Sequence, residues 1–167
     1  TAVLSGTFHG TLDPDGDGGP LGACTATDGD AFLVRLDAAD QLPESMLCVG
    51  GVGDQYPRSV ATSRDGELVA LGGDFSPEAD WGVGSATTSI GADADAFAIA
   101  TDDELSVSLG EAFDGGTGTR SARGVDVQNG RRLLVAGTFA DAILLPDGPH
   151  ESAGAADVFI VVYDPLP

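Results

Sequence analysis

The chain has 167 residues, enough for one ordinary domain with a substantial core and too few for two comfortable ones. Its 27 acidic residues stand against 7 basic ones, all of them Arg, for a net charge of −20. That balance argues against sequence-independent binding to DNA or RNA and against a polybasic membrane anchor, since both need clustered Lys or Arg. Hydrophobic residues at 42% place the chain outside the disordered, highly charged class, and 25 Gly point to a fold with many turns.

The segment Val3-Leu4-Ser5-Gly6-Thr7-Phe8 opens the chain with no basic, long apolar signal-peptide pattern around it. It returns as Ala70-Leu71-Gly72-Gly73-Asp74-Phe75 and as Val135-Ala136-Gly137-Thr138-Phe139, the Phe residues lying 67 and then 64 positions apart. A second anchor follows each one: Asp30-Ala31-Phe32, Asp95-Ala96-Phe97 and Asp157-Val158-Phe159, spaced by 65 and 62. Gly51-Val52-Gly53-Asp54 and Gly116-Thr117-Gly118-Thr119 form a third anchor, each leading into a small-residue strand and then an Asp65-Gly66 or Asn129-Gly130 hairpin turn. Two anchors at nearly one period mark an internal repeat.

One full period predicts four strands, Ser59–Ser63, Glu67–Phe75, Ala96–Thr101 and Leu105–Leu109, joined by Gly, Asp and Pro. Only Asp37 to Met46 approaches a helical period, and Pro43 breaks it. The last apolar run, Val158 to Tyr163, is far short of the roughly 20 residues a membrane span needs, so no membrane insertion is expected. Four antiparallel strands per repeat is the pattern of a β-propeller blade. The first repeat lacks its opening strand and the third its last. The expectation is all-β: one repeat domain over residues 1–167, with repeats at about 1–50, 51–115 and 116–167, forming an incomplete β-propeller-like array of four-stranded blades.

The stretch from Gly53 to Gly73, with its Gly-Asp turn, the Ser59-Val60-Ala61 strand, Asp65-Gly66 and Leu68-Val69-Ala70-Leu71-Gly72, resembles the bacterial seven-bladed β-propeller repeat. Asp30-Ala31-Phe32-Leu33-Val34-Arg35-Leu36-Asp37 is similar to the "D-A-F-V-x-K-L-D" strand of the same repeats. The resemblance implies a secreted or cell-envelope bacterial protein and brings no catalytic residues with it.

Asp13-Pro14-Asp15-Gly16-Asp17-Gly18 fits D-x-D-x-D-G, in which alternate carboxylates converge on a hard cation. It is similar to the calcium hairpin loop of integrin-type propeller blades, but Leu21 stands at the usual closing Asp. Asp13, Asp15 and Asp17, with Asp28, a carbonyl or water as the further ligand, are the candidate Ca²⁺ site; the other reading is a solvated Asp/Gly turn. Cys24 and Cys48 fit one disulfide of a secreted protein, with two buried thiols as the alternative. Asp28, Asp30, Asp93, Asp95 and Asp157 read as turn-closing acceptors ahead of the Phe strand. Trp81 reads as a packing residue and, with Tyr56, as the alternative sugar platform. His9 and His150 read as surface residues. Arg120, Arg123, Arg131 and Arg132 read as partners of local Asp residues or of an acidic neighbouring copy. No nucleophile elbow and no nucleotide loop is present. The function expected is a non-catalytic scaffold for binding or assembly with other chains or further copies of itself. A glycan-binding module is the alternative, and a hydrolase ranks below it.

Overall fold

The computed structural model describes residues 2–16, 19–82, 87–88, 94–128, 131–164 and 166. Their strands are Ala2–Leu12 (β1), Cys24–Leu36 (β2), Pro43–Val49 (β3), Gly53–Thr62 (β4), Leu68–Ala79 (β5), Thr87–Thr88 (β6), Asp95–Asp102 (β7), Val107–Phe113 (β8), Arg120–Gln128 (β9), Arg132–Phe139 (β10), Ala142–Leu145 (β11), Gly148–Glu151 (β12) and Asp157–Tyr163 (β13). The all-β expectation holds. The strands form antiparallel sheets in the orders β1-β2-β3, β4-β5-β7-β8 and β13-β10-β9, here sheets 1, 2 and 3. The short β6 extends β5, and β11-β12 is a separate hairpin between β10 and β13. Among the described residues sheet 1 thus lacks the strand equivalent to β4, and sheet 3 the strand equivalent to β8. No closed ring of sheets is detected among the described residues.

The recurring Gly and Phe anchors are one physical device. Gly6 lies directly across from Phe32, Gly73 from Phe97 and Gly137 from Phe159. A Cβ on these glycines would come within 2.8, 2.7 and 2.5 Å of the facing Phe Cε1. Each glycine therefore leaves the floor on which the neighbouring ring lies, and the ring covers backbone that glycine alone would expose. Two residues further along the first strand, Phe8, Phe75 and Phe139 face Asp30, Asp95 and Asp157. One cross-strand pair sets the register, and the register places an Asp at the same point of every sheet.

The sheets stack in chain order. β4 packs on β1 and β2, as β9 packs on β5 and β7. Side chains alternate along β5 and β7, so sheet 2 has two inner faces. Val69, Leu71, Phe75, Phe97 and Ile99 meet Ala31, Leu33 and Val49 of sheet 1. Ala70, Ala96, Ala98 and Ala100 meet Leu133, Val135, Phe139 and Phe159 of sheet 3. Small residues on one face make room for large ones on the other.

The predicted fourth strand needs correction. Leu105 is no strand residue; it sits at φ +64° and is buried, and β8 starts at Val107. The cause is Asp102, whose carboxylate accepts the backbone N–H groups of Glu104 (3.0 Å) and Ser106 (2.8 Å) and closes a turn there. The Asn129-Gly130 turn lies outside the described residues.

The Gly–Phe device makes a graded prediction. A Cβ on Gly6 meets only the Phe32 ring, whereas one on Gly73 or Gly137 also meets a backbone carbonyl, of Tyr56 or Ser121. Gly73→Ala and Gly137→Ala should cost about 1–3 kcal/mol by urea unfolding and Gly6→Ala less. Adding Phe32→Leu should relieve Gly6→Ala, while Phe97→Leu should leave Gly73→Ala impaired.

Candidate functional site

The polar chemistry of the chain concentrates where sheets meet. Between sheets 2 and 3, Arg120 enters from the first residue of β9 and is buried with Asp95 of β7, Nη1 to Oδ1 2.7 Å, both side chains fully inaccessible. Its remaining donors are taken up by backbone: Nε by the Ala142 carbonyl at 2.7 Å, Nη1 by Gly118 at 2.7 Å and Nη2 by Gly115. A buried charge pair of this kind persists because each guanidinium nitrogen has an acceptor, four bonds in all. Beside it Asp74 accepts Arg58 Nε at 2.8 Å and Nη2 at 3.0 Å within sheet 2, and the Ser121 hydroxyl of sheet 3 at 2.7 Å.

Between sheets 1 and 2 the links differ. Asp28 Oδ2 accepts the Gly53 N–H at 3.1 Å and Asp54 Oδ1 accepts the Gly29 N–H at 3.0 Å, a reciprocal pair across the junction. The Thr7 hydroxyl donates to the Gln55 carbonyl at 3.1 Å. Gln55 is fully buried and donates through Nε2 to the carbonyls of Glu78 (2.7 Å) and Gly53 (3.3 Å). Asp30, 7% exposed, lines a groove of about 380 Å³ with Thr27, Gly50, Glu78 and Asp80. Burial pushes its carboxyl above the usual carboxylate range, Asp28 adds to this and His9 opposes it.

The sequence-predicted residues distribute as follows. Asp13 Oδ1 accepts the Gly16 N–H at 3.0 Å and Asp15 Oδ2 the Leu21 N–H at 3.1 Å, so both shape the loop that carries them. Asp17 lies outside the described residues, as does Asp93. With Asp28 engaged by Gly53, no three His, Cys, Asp or Glu side chains converge on a point that could hold a metal ion among the described residues. Cys24 and Cys48 form a disulfide closing 24 residues, tying the start of β2 to β3. Trp81 is 3% exposed and packs on Phe75 and Phe97, with ring centroids 5.8 and 5.5 Å away. Tyr56 is exposed and its hydroxyl donates to Asp54. His9 and His150 are exposed, and His150 meets Asp147.

The turn-closing reading fits Asp157, which accepts the Ala153 N–H at 2.7 Å, while Asp95 also meets the Arg120 guanidinium of the next sheet. Arg120 is in turn no partner of a local Asp, standing 25 residues from Asp95; Arg132 meets Asp164. The junction role of Gln55 and Arg120 escaped the sequence reading. Its only trace was that both stand two residues after the closing glycine of the Gly-x-Gly anchor.

A second polar spot lies by sheet 3, where Glu111, Phe113, Leu144, Leu145 and Tyr163 line a shallow hollow. Burial raises Glu111, and burial with the Glu111 charge raises Tyr163 far above the ordinary phenol value.

Two outcomes follow. Arg120→Ala takes the guanidinium away from the buried Asp95 and should cost about 3–5 kcal/mol in chemical unfolding, while Asp95→Asn with Arg120→Gln should recover most of it. A carboxyl raised on folding contributes stability that is full below its unfolded value and lost as pH rises through its folded one. Glu111→Gln should therefore unfold at higher temperature than the wild type at pH 7, and the gap should close below about pH 4. No protein-family model and no curated protein matches the chain, so its function rests on this geometry.

Proposed function

We propose that the chain is a non-catalytic β-propeller-repeat scaffold of a secreted or cell-surface protein, which assembles with further sheets of its own kind. The observation that carries this is the outer face of sheet 3. Val158, Ile160 and Val162 of β13 are 72%, 67% and 51% exposed. Counted from the shared Phe, they correspond to Ala96, Ala98 and Ala100 of β7, each 0% exposed against sheet 3. Across from them stand Thr138, Ala136 and Leu134 of β10, so the face is apolar over two strands except at the Thr138 hydroxyl.

A strand with one wet face alternates apolar and polar residues, whereas a nearly continuous apolar run belongs to a strand covered on both sides. Val158 to Tyr163 is such a run. The edges agree: among the described residues β13 pairs only with β10 and β1 only with β2. Unpaired edges of this length are ordinarily covered. Docking the front of one stack on the back of the next is a head-to-tail contact, which yields rings or filaments. The disulfide fits an oxidising compartment. A Ca²⁺ at Asp13, Asp15, Asp17 and Asp28 would rigidify a loop beside sheet 1, outside this face. The glycan-binding alternative loses its best aromatic, since Trp81 offers no exposed ring.

Sedimentation velocity tests the scaffold reading. Wild type should self-associate at micromolar concentration, and more so at high salt, which screens the net charge of −20. Ile160→Lys with Val162→Glu should yield a folded monomer. A wild type that stays monomeric across concentration and salt would overturn it.

A further inference from the structure

The two junctions are built on the same rows, and one row is short of a cation. Gln55 pairs across β4-β5 with Phe75, and Arg120 pairs across β9-β10 with Phe139. The two side chains are therefore equivalent, and they prove so in their bonds. Gln55 Nε2 donates to Gly53 and Glu78 as Arg120 donates to Gly118 and Ala142, the matching carbonyls of the next repeat. Asp30 is in the same way the equivalent of Asp95, each facing the first Phe of its sheet.

What differs is charge. Arg120 brings a guanidinium whose Nη1 meets Asp95 Oδ1. Gln55 is shorter and neutral, and its two amide hydrogens go to the two backbone carbonyls. This leaves Asp30 Oδ1 and Gln55 Oε1 both buried without a donor, on side chains 93% and 100% removed from solvent by their 7% and 0% exposure. Two acceptors and no donor at the position where the next junction carries a positive charge is an unsatisfied arrangement, costly to leave so.

We propose that a hard metal cation, with Ca²⁺ as the reference ion, binds at Asp30 and Gln55 and stands in for the guanidinium of Arg120. Both donors are oxygens, a carboxylate and an amide carbonyl, the set that hard cations take. The groove beside Asp30 gives a path from solvent with room for the waters that complete an irregular Ca²⁺ shell, and its Glu78 and Asp80 make it acidic. This site is separate from the Asp13–Asp17 loop and goes beyond the scaffold reading, since it needs no assembly.

The test is thermal unfolding of the full chain in EDTA and in 10 mM Ca²⁺, with Mg²⁺ and Na⁺ arms. At an affinity near 1 mM, typical of extracellular modules, Ca²⁺ should raise the midpoint by about 3–6 °C. Asp13→Asn with Asp15→Asn should keep the response, and Asp30→Asn should abolish it. Gln55→Arg, which builds the second junction into the first, should be as stable in EDTA as the Ca²⁺-loaded wild type and indifferent to Ca²⁺. No response to any of the cations in the wild type would overturn the proposal. So would a response that survives Gln55→Arg, or Asp30→Asn gaining stability in EDTA over Ca²⁺-loaded wild type, which would mean a proton on Asp30 satisfies Gln55.

Discussion

The glycine lying under a phenylalanine on the adjacent strand is the constraint from which the remaining geometry follows. Gly73 without a side chain lets the Phe97 ring lie across the strand, and the same holds for Gly6 with Phe32 and Gly137 with Phe159. A slip of one residue would put a ring on a Cβ-bearing neighbour and turn every side chain to the opposite face. With the register held, alternate residues of β5 and β7 must supply two cores, one of large side chains toward sheet 1 and one of alanines toward sheet 3. The same register brings Asp95 to the end of β7, within reach of Arg120 from the next sheet. Packing and electrostatics at the junctions are thus consequences of one aromatic contact.

The two junctions show how a repeat can diverge without changing its backbone. Arg120 and Gln55 are reached by the same turn, bond the same two carbonyls and differ in whether the Asp opposite is neutralised. A buried ion pair adds little net stability compared with an apolar filling, but it penalises any arrangement in which the charges fail to meet. Arg120 therefore acts as a key that accepts sheet 2 in one register. The first junction relies instead on carboxylates accepting backbone N–H groups, Asp28 from Gly53 and Asp54 from Gly29.

The sequence made the repeat legible because its anchors are rigid requirements: a Gly that cannot become larger, a Phe that covers it and a Gly-x-Gly before a first strand. It also revealed Trp81 as a packing residue and the Cys24–Cys48 pairing. The Asp95–Arg120 contact was invisible, since nothing local signals a partner 25 residues away on another sheet. Leu105 was read as a strand start because an apolar residue before Ser106-Val107 fits alternation; the Asp102 turn that lifts it to φ +64° depends on side-chain bonds that periodicity does not register. The hairpin β11-β12 escaped for a similar reason, its strands being short and broken by Pro146-Asp147-Gly148. The Asp13–Asp17 motif had the right composition for a cation, but pattern alone does not say whether carboxylates turn outward to an ion or inward to backbone, as Asp13 and Asp15 do.

The acidic excess then divides by what each carboxylate faces. Asp37, half-buried, and Asp65 and Asp141, exposed, accept backbone or hydroxyl donors, first among them the Ala39 N–H, the Ser63 hydroxyl and the Thr117 N–H, which hold them below the usual range. Such groups support the fold above their unfolded value and withdraw that support as pH falls through the folded one. Asp30 and Glu111 are raised by burial and act in the opposite sense, opposing the fold once ionised. Turn carboxylates thus favour neutral pH while the buried Asp30 and half-buried Glu111 favour mild acid, unless a positive group meets them. Asp95 has that group in Arg120. An acidic chain of this kind keeps its charge harmless by using carboxylates as backbone acceptors at the surface, and needs cations only at the few places where packing draws a carboxylate inside.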